Sequence, residues 1–348
     1  MAVLRIRGFA LPDGDPVDLY ADGDRWTDDP VAGAELAGEG WLIPGLTDAH
    51  THPGADHRKP LDESLLRDDL RAHVAAGVTM IRSPGLAGDP PEWFGTDEDV
   101  PRAVHAGPWI AQHGQFFDDW GRRASHAEMP AVAAAQAARS GWAKIIADWN
   151  LEDEAVPVDV LTAVVRAVHA AGGRVAVHSQ QAAGGVAAVA AGVDSLEHGM
   201  CLDPDLLPLM AAQGTALTPT LKVITEVIED VCQRPDGPRK DWYLTGATAH
   251  PSLTAAAAEA GVRVLAGTDS RPHGKIVDEI RALAAAGLRP HDAIAAGSWA
   301  ARGYLGLDGL TPGAPADAVI YDADPRADLS QLDSPRAVIL RGRLMHRR

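Results

Sequence analysis

The chain has 348 residues, 46% of them hydrophobic and 23% charged, with a formal net charge of −17; that is enough for an α/β barrel with a small appendage and a sizeable core. The acidic residues are scattered, which disfavours nucleic acid and anionic membranes as partners, and no stretch approaches the roughly 18 apolar residues of a membrane helix. The opening "MAVLRIRGFALPDGDPVDLY" lacks a secretory h-region, and two cysteines, Cys201 and Cys232, suggest neither a disulfide framework nor a thiolate zinc site, so the expectation is a cytoplasmic protein whose metal, if any, is held by His, Asp, Glu or a less usual ligand.

Residues 1 to 43 read as strands with turn signals such as "LPDGDP". The first strand of an alternating β and α pattern follows, "WLIPGLTDAH", ending near His50. A helix over "DESLLRDDLRAHVAAG" sets Leu65, Leu66, Leu70 and Val74 on one face and stops at Gly77. Further strands end near Ser83 ("VTMIRS"), His113 ("PWIAQH") and Asp148 ("AKIIAD"), and a helix over "VDVLTAVVRAVHAAGG" stops at Gly172. The second half supplies "RVAVHS", "VDSLEH", "TALTPT" and "VRVLAGTD", ending near Ser179, His198, Thr220 and Asp269. Eight strands with helices between them predict a (β/α)8 barrel over residues 44–307. The insertion 221–249 is longer than a crossover needs and reads as a lid or specificity segment. After the linker "GLDGLTPGAP", residues 308–348 are strand-like again, and with residues 1–43 they are expected to form a small β-sandwich.

"DAHTHP" places His50 and His52 two apart at a strand end, where period-two geometry turns both toward the barrel mouth. Two imidazoles so close suit a transition-metal ion, although an isolated pair reads equally as loop histidines. His178, His198 and Asp269 close the fifth, sixth and eighth strands on the same rim. Lys144 enters the apolar fourth strand, where an unpaired ammonium is costly; an ion pair with Asp148 or Asp269 is one resolution. Arg82, Arg271 and His273 are candidate anchors for a substrate carboxylate. His113, Gln115 and Trp120, with Phe116 and Phe117, give the third-strand exit an aromatic and amide lining suited to a mid-sized, partly apolar ligand, or to loop packing. The remaining histidines, His57, His73 and His250 among them, read as surface or structural residues.

"LIPGLTDAHTHP", "GVTMIRSPG", "VAVHS", "SLEHG", "LTPTL", "VLAGTDS" and "GLTPGAPADAVIYDADP...VILRGRLMHR" resemble successive signatures of the amidohydrolase superfamily, in particular its imidazolonepropionase-related and prolidase-like branch. The resemblance implies a distorted (β/α)8 barrel and two divalent metal ions, zinc first and manganese, iron or cobalt as alternatives. The metal-holding roles fall on His50, His52, Lys144, His178, His198 and Asp269. Lys144 takes the place of a bridging lysine carboxylated by carbon dioxide, which removes the ammonium problem, since only the neutral amine attacks carbon dioxide and burial lowers its pKa. One ion would sit on His50, His52 and Asp269, the other on His178 and His198 facing substrate, with a bridging hydroxide as nucleophile and Asp269 as catalytic proton shuttle. "SQQAAGG" after His178 lacks the acid or His-Glu pairing of deaminating relatives, and Ser83 stands where many relatives carry an acid. The function so implied is hydrolysis of a carbon-nitrogen bond in a small molecule: a peptide-like amide, an N-acyl amino acid or a cyclic amide. Alternatives are a lactonase or phosphotriesterase-like hydrolase, or a catalytically silent barrel. Self-association is allowed by the sequence without being specified.

Overall fold

A computed structural model describes residues 3–55, 61–117 and 120–348. His57 and Lys59, and Asp118 and Asp119 of the third-strand exit, lie outside them. The chain opens with β1 (Leu4–Ala10), β2 (Asp15–Asp22), β3 (Arg25–Thr27) and β4 (Glu35–Ile43), followed by β5 (Leu46–Asp48), α1 (Glu63–Ala75), β6 (Val78–Ser83), β7 (Arg102–His105), β8 (Ile110–Ala111) and β9 (Arg122–Arg123). Next come α2 (Met129–Ser140), β10 (Trp142–Ile146), α3 (Val158–Ala170), β11 (Arg174–Ser179), α4 (Ala182–Ala191), β12 (Ser195–His198), α5 (Leu207–Gln213) and β13 (Ala216–Thr218). Helices α6 (Leu221–Cys232), α7 (Pro238–Glu259), α8 (Ile276–Ala286), α9 (Pro290–Ala296) and α10 (Trp299–Tyr304) precede β14 (Ala318–Tyr321), β15 (Ala337–Leu340) and β16 (Arg343–Arg347).

The architecture is α/β with parallel sheets in the order β5-β6-β7 and β13-β12-β11-β10-β8-β9. Alternation along β10 to β13 explains the layering. Ala143, Ile145, Val175, Val177, Leu196 and Leu217 join Leu161, Val164 and Val168 of α3 in one apolar core, while the intervening residues face the other way. Helix α1 forms because Asp62 accepts hydrogen bonds from the amides of Ser64 and Leu65, and because Leu66, Leu70 and Val74 share a buried stripe.

Several expected boundaries shift. The first strand is broken at Pro44–Gly45, so that β4 joins the terminal sheet and β5 begins the parallel one. The third strand falls earlier than expected: β7 pairs with β6 through Met80 opposite Arg102, and the expected "PWIAQH" keeps only β8, because Gly107 and Pro108 interrupt the run. Residues 263–269 are irregular, yet the Leu265 amide donates to Leu217 O (2.9 Å), the Ala49 amide to Ala266 O (2.8 Å) and the Asp269 amide to His50 O (2.8 Å). The insertion 221–249 is helical, made of α6 and the first half of α7. Both chain ends share one seven-stranded sheet, β16-β15-β14-β4-β1-β2-β3. It is tied to the parallel strands by Asp317, fully buried between Arg102 and Arg302 (2.8 and 3.0 Å). No helix among the described residues is long and apolar enough to cross a membrane.

Candidate metal centre

The strand register builds the centre in two tiers. Ile146 lies opposite His178, His178 opposite Glu197 and Glu197 opposite Thr218. One tier deeper, Lys144 lies opposite Ala176, Ala176 opposite Ser195 and Ser195 opposite Ala216. Lys144 therefore starts roughly 6.6 Å below the His178 tier, two residues down its strand, and only a long side chain reaches up from there. Alternation along β12 would send His198 to the helix-facing side with Leu196. Its left-handed backbone, φ 64°, turns the ring to the centre instead. Asp269 and Thr220 also have left-handed φ values, 45° and 52°. Three non-glycine residues held in this sparsely populated region within one site store backbone strain where side chains must be aimed.

His50 Nε2 and His52 Nε2 are 3.2 Å apart. Asp269 Oδ1 lies 3.2 Å from His52 Nε2 and 3.8 Å from His50 Nε2, and its Oδ2 lies 4.0 Å from His198 Nε2. His50, His198 and Asp269 form a group whose ligand atoms all lie within 4.8 Å of one another. The resemblance would divide these three between two ions, whereas the geometry gathers them into one cluster.

The far nitrogen of each of these imidazoles is committed. His50 Nδ1 donates to Glu197 Oε2 (2.7 Å), His52 Nδ1 donates to Gly85 O (2.6 Å), and His198 Nδ1 lies 2.8 Å from Thr220 Oγ1. The Glu197 carboxylate and the Gly85 carbonyl, acceptors only, fix tautomer and ring orientation of His50 and His52, and the Thr220 hydroxyl orients His198, so that each Nε2 faces the cluster. Gly85 must be glycine: a Cβ there would come within 2.2 Å of Trp109 Nε1. Ser83, which replaces the acid of many relatives, donates to the same Gly85 carbonyl (2.9 Å).

Lys144 and His178 differ. Both are buried, 1% and 5% exposed, and Lys144 Nζ and His178 Nε2 have no hydrogen-bond partner among protein atoms. The expected alternative of an ion pair fails for Asp148, whose carboxylate accepts from Ser179 Oγ (2.6 Å) and the Gln180 amide (2.8 Å), and Asp269 makes its ion-pair contacts with histidines. Burial pushes the Lys144 amine down to about 8, against the pull of Glu197. Burial likewise lowers His50 to about 4 and holds His178 and His198 well below the usual imidazole range, so these rings are neutral, the ligating form. For Asp269 burial alone would raise the pKa, but His50 and His52 outweigh it and the carboxyl sits at about 2.

Arg82 is not a substrate anchor. It is 1% exposed and spends its donors on Ala49 O (2.7 Å), Ser195 Oγ, Thr218 Oγ1 and both oxygens of Glu197 (2.9 Å each). Burial would raise the Glu197 carboxyl, but Arg82 and Lys144 outweigh it and keep it well below the usual range. The Arg82–Glu197 pair thus orients His50. Glu197 is visible in "SLEHG" as an acid in an apolar strand, and an unpaired buried carboxylate is the signal for a partner.

The six strand-end residues floor a cavity of about 790 Å3. Trp109, Phe116, Phe117, Trp120 and Trp149 form one wall, Val223, Glu226, Val227 and Asp230 of α6 another, and Arg271 and His273 lie at the edge. Trp109 stacks on Trp120 with centroids 5.1 Å apart and touches His52 at 5.0 Å, and Trp149 lies 5.3 Å from His178. Of the expected substrate contacts, Trp120, Arg271 and His273 line the cavity. His113 is exposed outside it, two residues beyond Ala111, where β8 ends and with it the strand alternation that would have turned the ring inward. Gln115 also falls outside the cavity lining, its amide donating to Glu154 O (3.1 Å). Arg271 is held by Asp69 (3.2 Å) and by Ala55 O, and His273 Nδ1 lies 3.1 Å from Thr51 Oγ1.

An α/β scaffold with histidines, an aspartate and a bare lysine at the C-terminal ends of parallel strands defines a metal-dependent hydrolase class. The Amidohydrolase family model matches residues 41–345, and the chain belongs to that family as a metal-dependent amidohydrolase. An uncharacterized protein of Mycobacterium tuberculosis is 37% identical over 362 residues, covering 98% of this chain and 95% of that relative. Ochratoxinase of Aspergillus niger is 32% identical over 173 residues, 47% of this chain and 35% of that enzyme. Among solved structures, a Xaa-Pro dipeptidase with bound methionine superposes with a TM-score of 0.83 at 22% identity, covering 99% of this chain and all of that one. Members of this family generally bind divalent metals.

Proposed function

We propose that the protein hydrolyses a carbon-nitrogen bond in a small amide, either peptide-like, N-acyl amino acid or cyclic, at a centre of two divalent ions. The observation that carries this reading is the bare, buried Nζ of Lys144 and Nε2 of His178 beside the converging Nε2 atoms of His50, His52 and His198. Other buried polar atoms of the chain also lack partners, but these two share the floor of one cavity with three imidazoles and a carboxylate, a donor set that suits cations. His50, His52, His178, His198 and Asp269 would hold the ions, with Lys144 as a carbamate formed from its neutral amine and carbon dioxide, with release of a proton. Zinc suits this donor set, as do manganese, iron or cobalt. Bound ions supply Lewis acidity, polarising a carbonyl and bringing water toward ionisation near neutrality.

The chain does the rest. Asp269, anchored by its own amide to His50 O, takes the proton from the attacking water and returns it to the departing nitrogen as the carbon-nitrogen bond breaks. The aromatic wall seats an apolar part of the substrate and excludes water, while Trp120, Arg271 and His273 contact it. This reading treats residues 44–307 as a closed (β/α)8 barrel, supported by the bonds from 263–269 to both neighbouring segments, and residues 1–43 and 308–348 as its β-sandwich. The relatives favour amides: one is a dipeptidase structure and another an ochratoxinase.

The test has two parts. Metal analysis after purification without chelators should find two equivalents of divalent ion, and Lys144→Ala should lower that count; no bound ion would refute the reading. Dipeptides, N-acyl amino acids, hydantoin-like rings and lactones should then be assayed in parallel, with turnover expected for an amide and not confined to lactones.

A further inference from the structure

Thr220 stands where the N-cap of α6 should be, yet it does not cap. Its backbone is left-handed and its side chain accepts no amide of the helix, whereas capping residues take extended dihedrals and use their oxygen on the first turn. The hydroxyl lies instead 2.8 Å from His198 Nδ1. The cap is supplied from elsewhere. Glu279, in the first turn of α8 and fully buried, accepts the Leu221 amide at Oε1 (3.0 Å) and the Lys222 amide at Oε2 (2.7 Å). On the other side of Thr220, the fully buried His250 of α7 donates from Nε2 to Pro219 O (2.8 Å). Two buried side chains from two different helices thus grip the backbone immediately before and immediately after a residue in a strained conformation.

We propose that Glu279 and His250 are positioning residues for the metal centre: they clamp Thr220 in its left-handed conformation so that its hydroxyl is released from capping and holds the His198 ring. Glu279 does what Thr220 would otherwise do for α6, satisfying two of the amides that a helix leaves open at its start. His250 fixes the approach to Thr220 from the strand side. Neither touches substrate or ion. The inference rests on the metal-binding reading above, since its consequence is the aim of a ligand nitrogen.

The test is cobalt(II) titration of the metal-free full chain, followed by calorimetry and by the visible spectrum of the bound ion, with thermal unfolding measured beside it. Thr220→Val, which keeps the shape and removes the hydroxyl, should weaken cobalt binding by about 10- to 100-fold, the loss usual for a partner of a ligating histidine; Thr220→Ser should stay within about twofold. Glu279→Ala and His250→Ala should each weaken binding in the parent protein but add less than about twofold to Thr220→Val. A purely structural role predicts the opposite pattern: lower thermal stability with unchanged cobalt affinity, or a full additional loss in the Thr220→Val background, and either result overturns the proposal. If Glu279→Ala does not fold, Glu279→Gln, which keeps one acceptor, is read by the same criteria. A parent protein that binds no cobalt overturns the metal reading and this inference together, whereas tight binding unaffected by Thr220→Val overturns this inference alone.

Discussion

His50 and His198, and Lys144 and His178 beside them, are all buried on the cavity floor, yet their polar atoms are treated in opposite ways. The first pair has its far nitrogens tied to Glu197 and Thr220, so the rings are aimed whether or not anything is bound. The second pair presents atoms with no partner at all, at a cost of about 1–3 kcal/mol for each buried group left unsatisfied. One half of the site is preorganised by protein; the other is bare among protein atoms, as the metal reading proposed above requires.

That contrast can be broken at several points. The largest effect is expected from Asp269→Asn, which should retain most of the metal and lower turnover by roughly 10^2- to 10^4-fold, the range of a lost proton-transfer group; near-normal turnover in a metal-replete variant would remove Asp269 from the proton path. On the preorganised half, Arg82→Met leaves the Glu197 carboxylate buried without its partner and should destabilise the metal-free protein by about 3–5 kcal/mol in urea unfolding. Adding Glu197→Gln should recover part of that loss, and no recovery would mean that Arg82 acts mainly through Ala49 and Ser195.

Acid should find the His250 clamp next. Burial lowers its imidazole to about 4, partly opposed by the Pro219 carbonyl. A folded pKa below the unfolded value gives stability that is present above about pH 6.5 and lost as pH falls through about 4, amounting to about 3 kcal/mol. Because His50, His178 and His198 are depressed by burial as well, His250→Gln should reduce the slope of unfolding free energy across that window by about one proton's share, and an unchanged slope would exclude His250 as a contributor. The smallest and most diagnostic effect is on Lys144. In metal-free protein, Lys144→Met removes an unsatisfied amine and should stabilise by about 1–3 kcal/mol, while metal content falls. Loss of stability instead would show that the amine has a partner.

The difference between the two halves also explains what the sequence discloses. Placement at the cavity is legible because strand period and strand ends are local properties: His178 and Lys144 fall on the inner face by counting in twos from their apolar neighbours. Glu197 and Arg82 are harder to read, since an arginine at a strand end is equally a substrate clamp or a buried partner until the residue facing it across the sheets is known. His113 and Gln115 are misjudged as lining residues because the expected strand is extended beyond Ala111, where β8 ends, and the Gln115 amide is taken up by Glu154 O. The clamp on Thr220 is invisible in sequence: its members lie 30 and 59 positions away (250 − 220 and 279 − 220) and meet only through packing of α6, α7 and α8. The stretch 221–249 reads from sequence as a lid or specificity segment from its length alone, and the structure adds that it is helical and that Val223, Glu226, Val227 and Asp230 of α6 line the cavity.

The depth of Lys144 has a further meaning. Because its Cα sits a full tier below His178, side-chain length at this position works as a ruler. A glutamate carboxylate grown from the same Cα ends several bonds short of the carbamate proposed for Lys144, so Lys144→Glu should fail to restore metal binding by reach even though it supplies an anion. On the carbamate reading proposed above, this depth requires a side chain finished from solution, and dissolved carbon dioxide during assembly becomes a condition for metal loading.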